Sequence, residues 1–163
     1  MESFVSPDVS RRDLFKQLIG TVAMALGGSR LVAAQAKPPL VVYKDAGCGC
    51  CTKWVEQMQK LGYKATVTEP VMGPIKQKYK IPPKLQSCHT TLVGNYVIEG
   101  HVPASDIAKL LAQKPKGVIG LTIPGMPASA PGMDQVPFRP YTVLAFDATG
   151  ATTVFAQHDK PGV

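Results

Sequence analysis

Three of the four cysteines in this 163-residue chain are packed into Cys48-Gly49-Cys50-Cys51. The apolar run Leu40, Val41, Val42, Tyr43 precedes them, and Trp54, Met58 and Leu61 recur behind them at helical spacing. That order puts three soft sulfurs at the N-terminus of a helix, where unsatisfied N–H groups and the helix dipole favour thiolate over thiol. The chemistry open to such a site is soft-metal binding or thiol redox exchange. Cys48 and Cys51 keep the C-x-x-C spacing that signals redox chemistry beside a βαβ pattern. The fourth cysteine, Cys88, stands in Ser87-Cys88-His89-Thr90 with a histidine as its neighbour.

The elements that must position these groups alternate. The first strand and the helix after the cysteines are followed by Gly62 as a C-terminal cap and by an alternating strand over Tyr63 to Thr68, with Tyr63, Ala65 and Val67 on one face. Val71, Ile75 and Tyr79 mark a short second helix, which Pro82-Pro83 ends. Two β-rich runs, Thr90 to Val93 and Tyr96 to Glu99, flank Gly94-Asn95 in a hairpin pattern. Pro103 opens a third helix carrying Ile107, Leu110 and Leu111 on one side. A Pro/Gly/Ala-rich loop and a second hairpin, Tyr141 to Asp147 and Thr152 to Gln157, close the chain; this hairpin is a candidate shield for the site.

The expected class is therefore α/β, in the order β-α-β-α-β-β-α with an added C-terminal loop and β-hairpin. That order, with cysteines where the first strand meets the first helix, resembles the thioredoxin fold. A βαβ unit sets such a motif at the carboxyl end of a parallel strand, where sites in these sheets form. In thioredoxin-like enzymes a cis-proline faces the cysteine pair just before the third strand, whereas here the matching stretch is Ser87-Cys88-His89-Thr90. On that alignment Cys88 and His89 face Cys48, Cys50 and Cys51, and four sulfurs converge.

Such a convergence favours metal over disulfide exchange. Adjacent Cys50 and Cys51 are poorly placed to bond to one another, and a third cysteine inside a C-x-x-C opens a route to mispairing. Thiolates bridge Cu(I) ions, and soft sulfur selects Cu(I) over harder cations. Zinc is less well suited, because three cysteines within four residues leave little room for a closed tetrahedron. An even cysteine count keeps two structural disulfides as an alternative. His89 is the strongest histidine candidate, and His101, between the fourth strand and third helix, is a ligand, a supporting group or a polar turn residue. His158 is expected to be uninvolved. Met126 and Met133, in the near-repeat Gly125-Met126-Pro127 and Pro131-Gly132-Met133, are candidate thioether ligands or loop anchors.

Ser10-Arg11-Arg12-Asp13-Leu14-Phe15-Lys16, the apolar Leu18 to Leu26 and the small-residue site Ala34-Gln35-Ala36 form a twin-arginine signal pattern. Residues 1–36 are thus expected to be removed, leaving 37–163 as a single metal-binding domain in the periplasm, with no stable membrane span after signal removal. The chain carries 18 Lys and Arg against 11 Asp and Glu. The signal holds Arg11, Arg12, Lys16 and Arg30 against Glu2, Asp8 and Asp13, so the remainder stays basic. Nucleic acid is not an expected partner: only Lys76, Lys78, Lys80 and Lys84 cluster, without aromatic interleaving, and they suit a solvated helix face.

Taken together, Val42-Tyr43-Lys44, Cys48-Gly49-Cys50-Cys51, Trp54-Val55, Ser87-Cys88-His89-Thr90, Tyr96 to Pro103 and the two Met-bearing segments resemble the CopG-type periplasmic proteins. These form a domain-of-unknown-function family that accompanies bacterial copper-resistance genes. The resemblance spans Leu40 to Phe155. It implies a thioredoxin-like fold, a copper-binding role in metal tolerance and a cysteine motif on Cys48, Cys50, Cys51 and Cys88. The function expected is copper homeostasis, with several Cu(I) ions in a thiolate cluster, redox conversion as a further capacity, and other periplasmic copper-handling proteins as partners. The alternative is a thiol-disulfide oxidoreductase using Cys48 and Cys51.

Overall fold

A computed structural model describes residues 36–160; the expected twin-arginine signal, up to its last residue, lies outside them. The elements are β1 (Leu40–Lys44), α1 (Gly49–Lys60), β2 (Ala65–Thr68), α2 (Met72–Lys78), a 3-10 turn (Pro83–Leu85), β3 (His89–Val93), β4 (Tyr96–Glu99), α3 (Ala104–Gln113), β5 (Val118–Thr122), β6 (Tyr141–Asp147) and β7 (Thr152–His158). The class is α/β, as expected. One sheet runs in the order β2-β1-β3-β4-β5-β6-β7. β1 is parallel to β2 and antiparallel to β3, β3 and β4 form the Gly94-Asn95 hairpin, and α3 carries the chain across to β5, parallel to β4. The second hairpin extends the sheet through antiparallel pairs β5–β6 and β6–β7.

Burial follows the strand and helix periods. Leu40, Val42, Ile98, Leu121 and Val143 send side chains to one face, where Trp54, Val55 and Met58 of α1 and Ile107 and Leu110 of α3 close over them. Val97 neighbours Ile98 but packs with Ile81, Leu85 and Phe146, so this second cluster occupies the opposite face. Gly62, at φ +87, takes the left-handed turn after α1 that a side chain would resist.

Three expectations are corrected. β5 is a strand where only a connection was expected, because Gly117 and Gly120 interrupt its apolar pattern. Gly120 is in the strand for close approach, since a Cβ there would meet the Val97 carbonyl and the Phe146 ring. Tyr63 is buried ahead of β2 and is not part of it, while β2 itself is an exposed edge. Lys76 does not belong to a solvated face: it is buried and paired with the fully buried Glu99 of β4.

Candidate metal centre

Sheet register brings the distant site residues together. Antiparallel pairing sets Lys44 of β1 opposite His89 of β3, so the segment leaving β1 and the segment entering β3 share one end of the sheet. Cys48 caps α1 at that end, and Cys50 and Cys51 lie in the helix's first turn. Cys88 immediately precedes β3. Pairing of Thr90 with Glu99 brings the chain after β4 to the same place, and the Gly100 N–H donates to the His89 carbonyl at 2.8 Å. His101 is thereby delivered beside Cys88.

The four cysteine sulfurs lie within 4.8 Å of one another, Cys51 buried and the others half-buried. Cys48 and Cys51 are joined by a disulfide, while Cys50 and Cys88 are free, with Cys50 Sγ 3.6 Å from Cys48 Sγ. The C-x-x-C pair is thus bonded as its spacing allows. Burial, reinforced by the nearby Cys50, pushes the Cys88 thiol up to about 11, so it is neutral at pH 7.

A second set of donors overlaps the first: Cys51, Cys88, His89 and His101 also place one atom each within 4.8 Å. His101 is nearly fully buried, with Nδ1 2.6 Å from the Pro131 carbonyl and Nε2 2.8 Å from Cys88 Sγ. A carbonyl only accepts, so Nδ1 carries the proton and Nε2 turns its lone pair to the sulfur. Burial holds His101 below the usual histidine range, partly opposed by the Pro131 carbonyl. His89 is fully buried between Trp54 and His101, with ring centroids 4.6 and 4.9 Å away. Its Nε2 has no hydrogen-bond partner, and burial, with His101 and then Lys76 and Lys44, holds it well below its ordinary value. Its other nitrogen, Nδ1, lies 3.8 Å from Cys88 Sγ, and a neutral imidazole grouped with the sulfurs of Cys51 and Cys88 fits the donor set of a soft metal.

The covering of this end comes from the loop between β5 and β6, not from the β6–β7 hairpin. Gly132, at φ +83, lies so close to α1 that a Cβ would come 2.8 Å from the Cys50 carbonyl, 2.9 Å from Trp54 N and 3.2 Å from His101 Nδ1. Met133, next in the chain, packs half-buried against the main core, and Met126 is exposed. His158 lies elsewhere, 2.8 Å from the Asp106 carboxylate and stacked on Tyr141. Sequence reasoning missed the Pro131 carbonyl and Gly132. The signal available was the glycine of Pro131-Gly132-Met133, which a close backbone approach requires. It also missed Lys76 and Glu99, which hold the chain just before Cys88.

A family model described as a protein of unknown function, DUF411, matches residues 85–133. Among solved structures, "Copper resistance protein copG- Form 1" is 32% identical with a TM-score of 0.71, covering 76% of this chain and 99% of that one. "Copper resistance protein copG- Form 2" is 33% identical with a TM-score of 0.70, covering 75% and 98%. No curated protein matches.

Proposed function

The chain belongs to the family of the CopG-type copper resistance proteins, and from that premise we propose that it is a copper-binding protein of copper resistance, holding Cu(I) in a thiolate cluster made by Cys48, Cys50, Cys51 and Cys88. The observation that carries this reading is the convergence of four sulfurs within 4.8 Å, two of which, those of Cys51 and Cys88, also lie within 4.8 Å of His89 and His101. Bridging thiolates accommodate more than one Cu(I) ion in so small a space. Reduction of the Cys48–Cys51 disulfide by two electrons and two protons frees all four sulfurs, and copper then displaces the thiol protons. The thioredoxin-like reading of β1 to β4 and the assignment of residues 37–163 as one exported periplasmic domain belong to the same proposal. The described residues contain no helix long and apolar enough to cross a membrane.

The test is copper stoichiometry on the reduced protein, loaded with Cu(I) without oxygen and challenged with a Cu(I) chelator of known affinity. Cys88→Ser is expected to lose copper at chelator concentrations the parent withstands, and a parent that releases its copper to the chelator defeats the reading. A second reading, thiol-disulfide exchange at Cys48 and Cys51, is favoured by the disulfide between them. It requires Cys50→Ser and Cys88→Ser to keep disulfide-exchange activity, whereas the copper reading requires both to weaken metal retention.

A further inference from the structure

The chain on either side of Cys88 is held by charges that the copper chemistry does not use. Glu99 is fully buried, and Lys76, which reaches it from α2, is nearly so. Their contacts converge on Ser87. The Lys76 ammonium donates to the Ser87 carbonyl at 2.9 Å, and the Ser87 N–H donates to Glu99 Oε1 at 2.7 Å. On the other side of the cysteine, the Thr90 hydroxyl donates to Glu99 Oε2 at 2.7 Å. Ser87 Oγ also donates to the Gly125 carbonyl at the start of the covering loop, and Gly100 must lack a side chain because a Cβ would strike Ser87. Both backbone polar groups of Ser87 thus end on one buried ion pair, and the carboxylate of that pair bridges across Cys88 to Thr90.

Desolvating an ammonium and a carboxylate makes such a pair weak as a source of stability, so its use lies in fixing a geometry. Three of the site's sulfurs sit at the N-terminus of a helix, Cys48 at its cap and Cys50 and Cys51 in its first turn, and are placed by it. Cys88 has no helix to place it; it precedes a strand, in a stretch with no regular hydrogen-bond ladder. We propose that the Lys76–Glu99 pair is a positioning clamp that sets Cys88 against the sulfurs of α1. Its role in metal retention rests on the reading of Cys88 as a copper ligand; its role in placing the thiol does not.

The experiment starts from Cys50→Ser with the Cys48–Cys51 disulfide intact, so that Cys88 is the free thiol. Into it goes Lys76→Met/Glu99→Gln, which leaves no buried charge unpaired. With circular dichroism and Trp54 fluorescence native, Cys88 is expected to react with iodoacetamide about tenfold faster than in the parent. In protein with all four cysteines, the same double substitution is expected to weaken copper retention about tenfold. Adding Cys88→Ser to it should cost no more than Cys88→Ser alone, because the clamp acts only through that sulfur. An unchanged alkylation rate in a folded variant, or copper losses that add, overturns the clamp. Should the double variant fail to fold, Thr90→Val, which removes one bond to the carboxylate and no charge, decides: faster alkylation supports the clamp and an unchanged rate overturns it. If the parent itself releases copper to the chelator, the copper reading falls while the alkylation rates still judge the clamp.

Discussion

At the residue scale the fourth cysteine is neutral as it waits. Cys88 keeps its proton because burial pushes the thiol up to about 11, and His101 offers a lone pair to it rather than a positive charge. Linkage gives this a sign. With the folded value above the unfolded one, the native chain retains a proton that the unfolded chain has lost between about pH 9 and about pH 11. Stability from this group is complete below that window and is lost as pH rises through it. The thermal midpoint of the oxidised Cys50→Ser protein is therefore expected to fall across the window, and Cys88→Ser to flatten the fall. Equal slopes with and without Cys88 would refute this origin. Copper uptake at neutral pH must likewise expel the Cys88 proton, so retention is expected to strengthen as pH rises.

At the element scale, the loop between β5 and β6 is seated on α1 by one glycine. Gly132→Ala places a methyl against the backbone of Cys50 and Trp54 at a positive φ, and the loop must lift. The Pro131 carbonyl then leaves His101, whose tautomer it fixes. Copper retention is expected to weaken about tenfold or more, the usual effect of losing a group that orients a ligand. Retention equal to the parent's in the chelator competition would show that the carbonyl orients nothing of consequence. The sequence made most elements legible where period and punctuation agreed: the Gly94-Asn95 hairpin, the Trp54–Met58 helix face, and Ile107 with Leu110. It hid β5, whose Gly120 reads as a break although the fold uses it to bring β5 against the Val97 carbonyl and Phe146. The cysteine motif announced itself by density. Lys76 did not, because its partner Glu99 lies on a strand across the fold, and nothing in a local run of lysines distinguishes a buried member from solvated ones.

At the scale of the whole molecule, the proposed role depends on reaching the right compartment. The paired Arg11 and Arg12 ahead of an apolar stretch are proposed to direct export through the twin-arginine route. Arg11→Lys/Arg12→Lys is expected to leave the protein uncleaved in the cytoplasm, whereas the exported form should begin at Lys37 by mass spectrometry of the periplasmic fraction. Normal export of the doubly substituted chain would reject that route.

The residues of the candidate site are dispersed along the chain, from Cys48 through Cys88 and His101 to the covering loop at Pro131 and Gly132. During synthesis the ribosome releases the three clustered thiols well before it has made the cysteine, the histidines or the loop that complete their surroundings. On the proposed copper reading, the nascent motif is for that interval an open chelator for thiophilic ions. A route that exports only finished folds would act as an inspection step, passing chains whose late-made segments have closed over the early-made thiols.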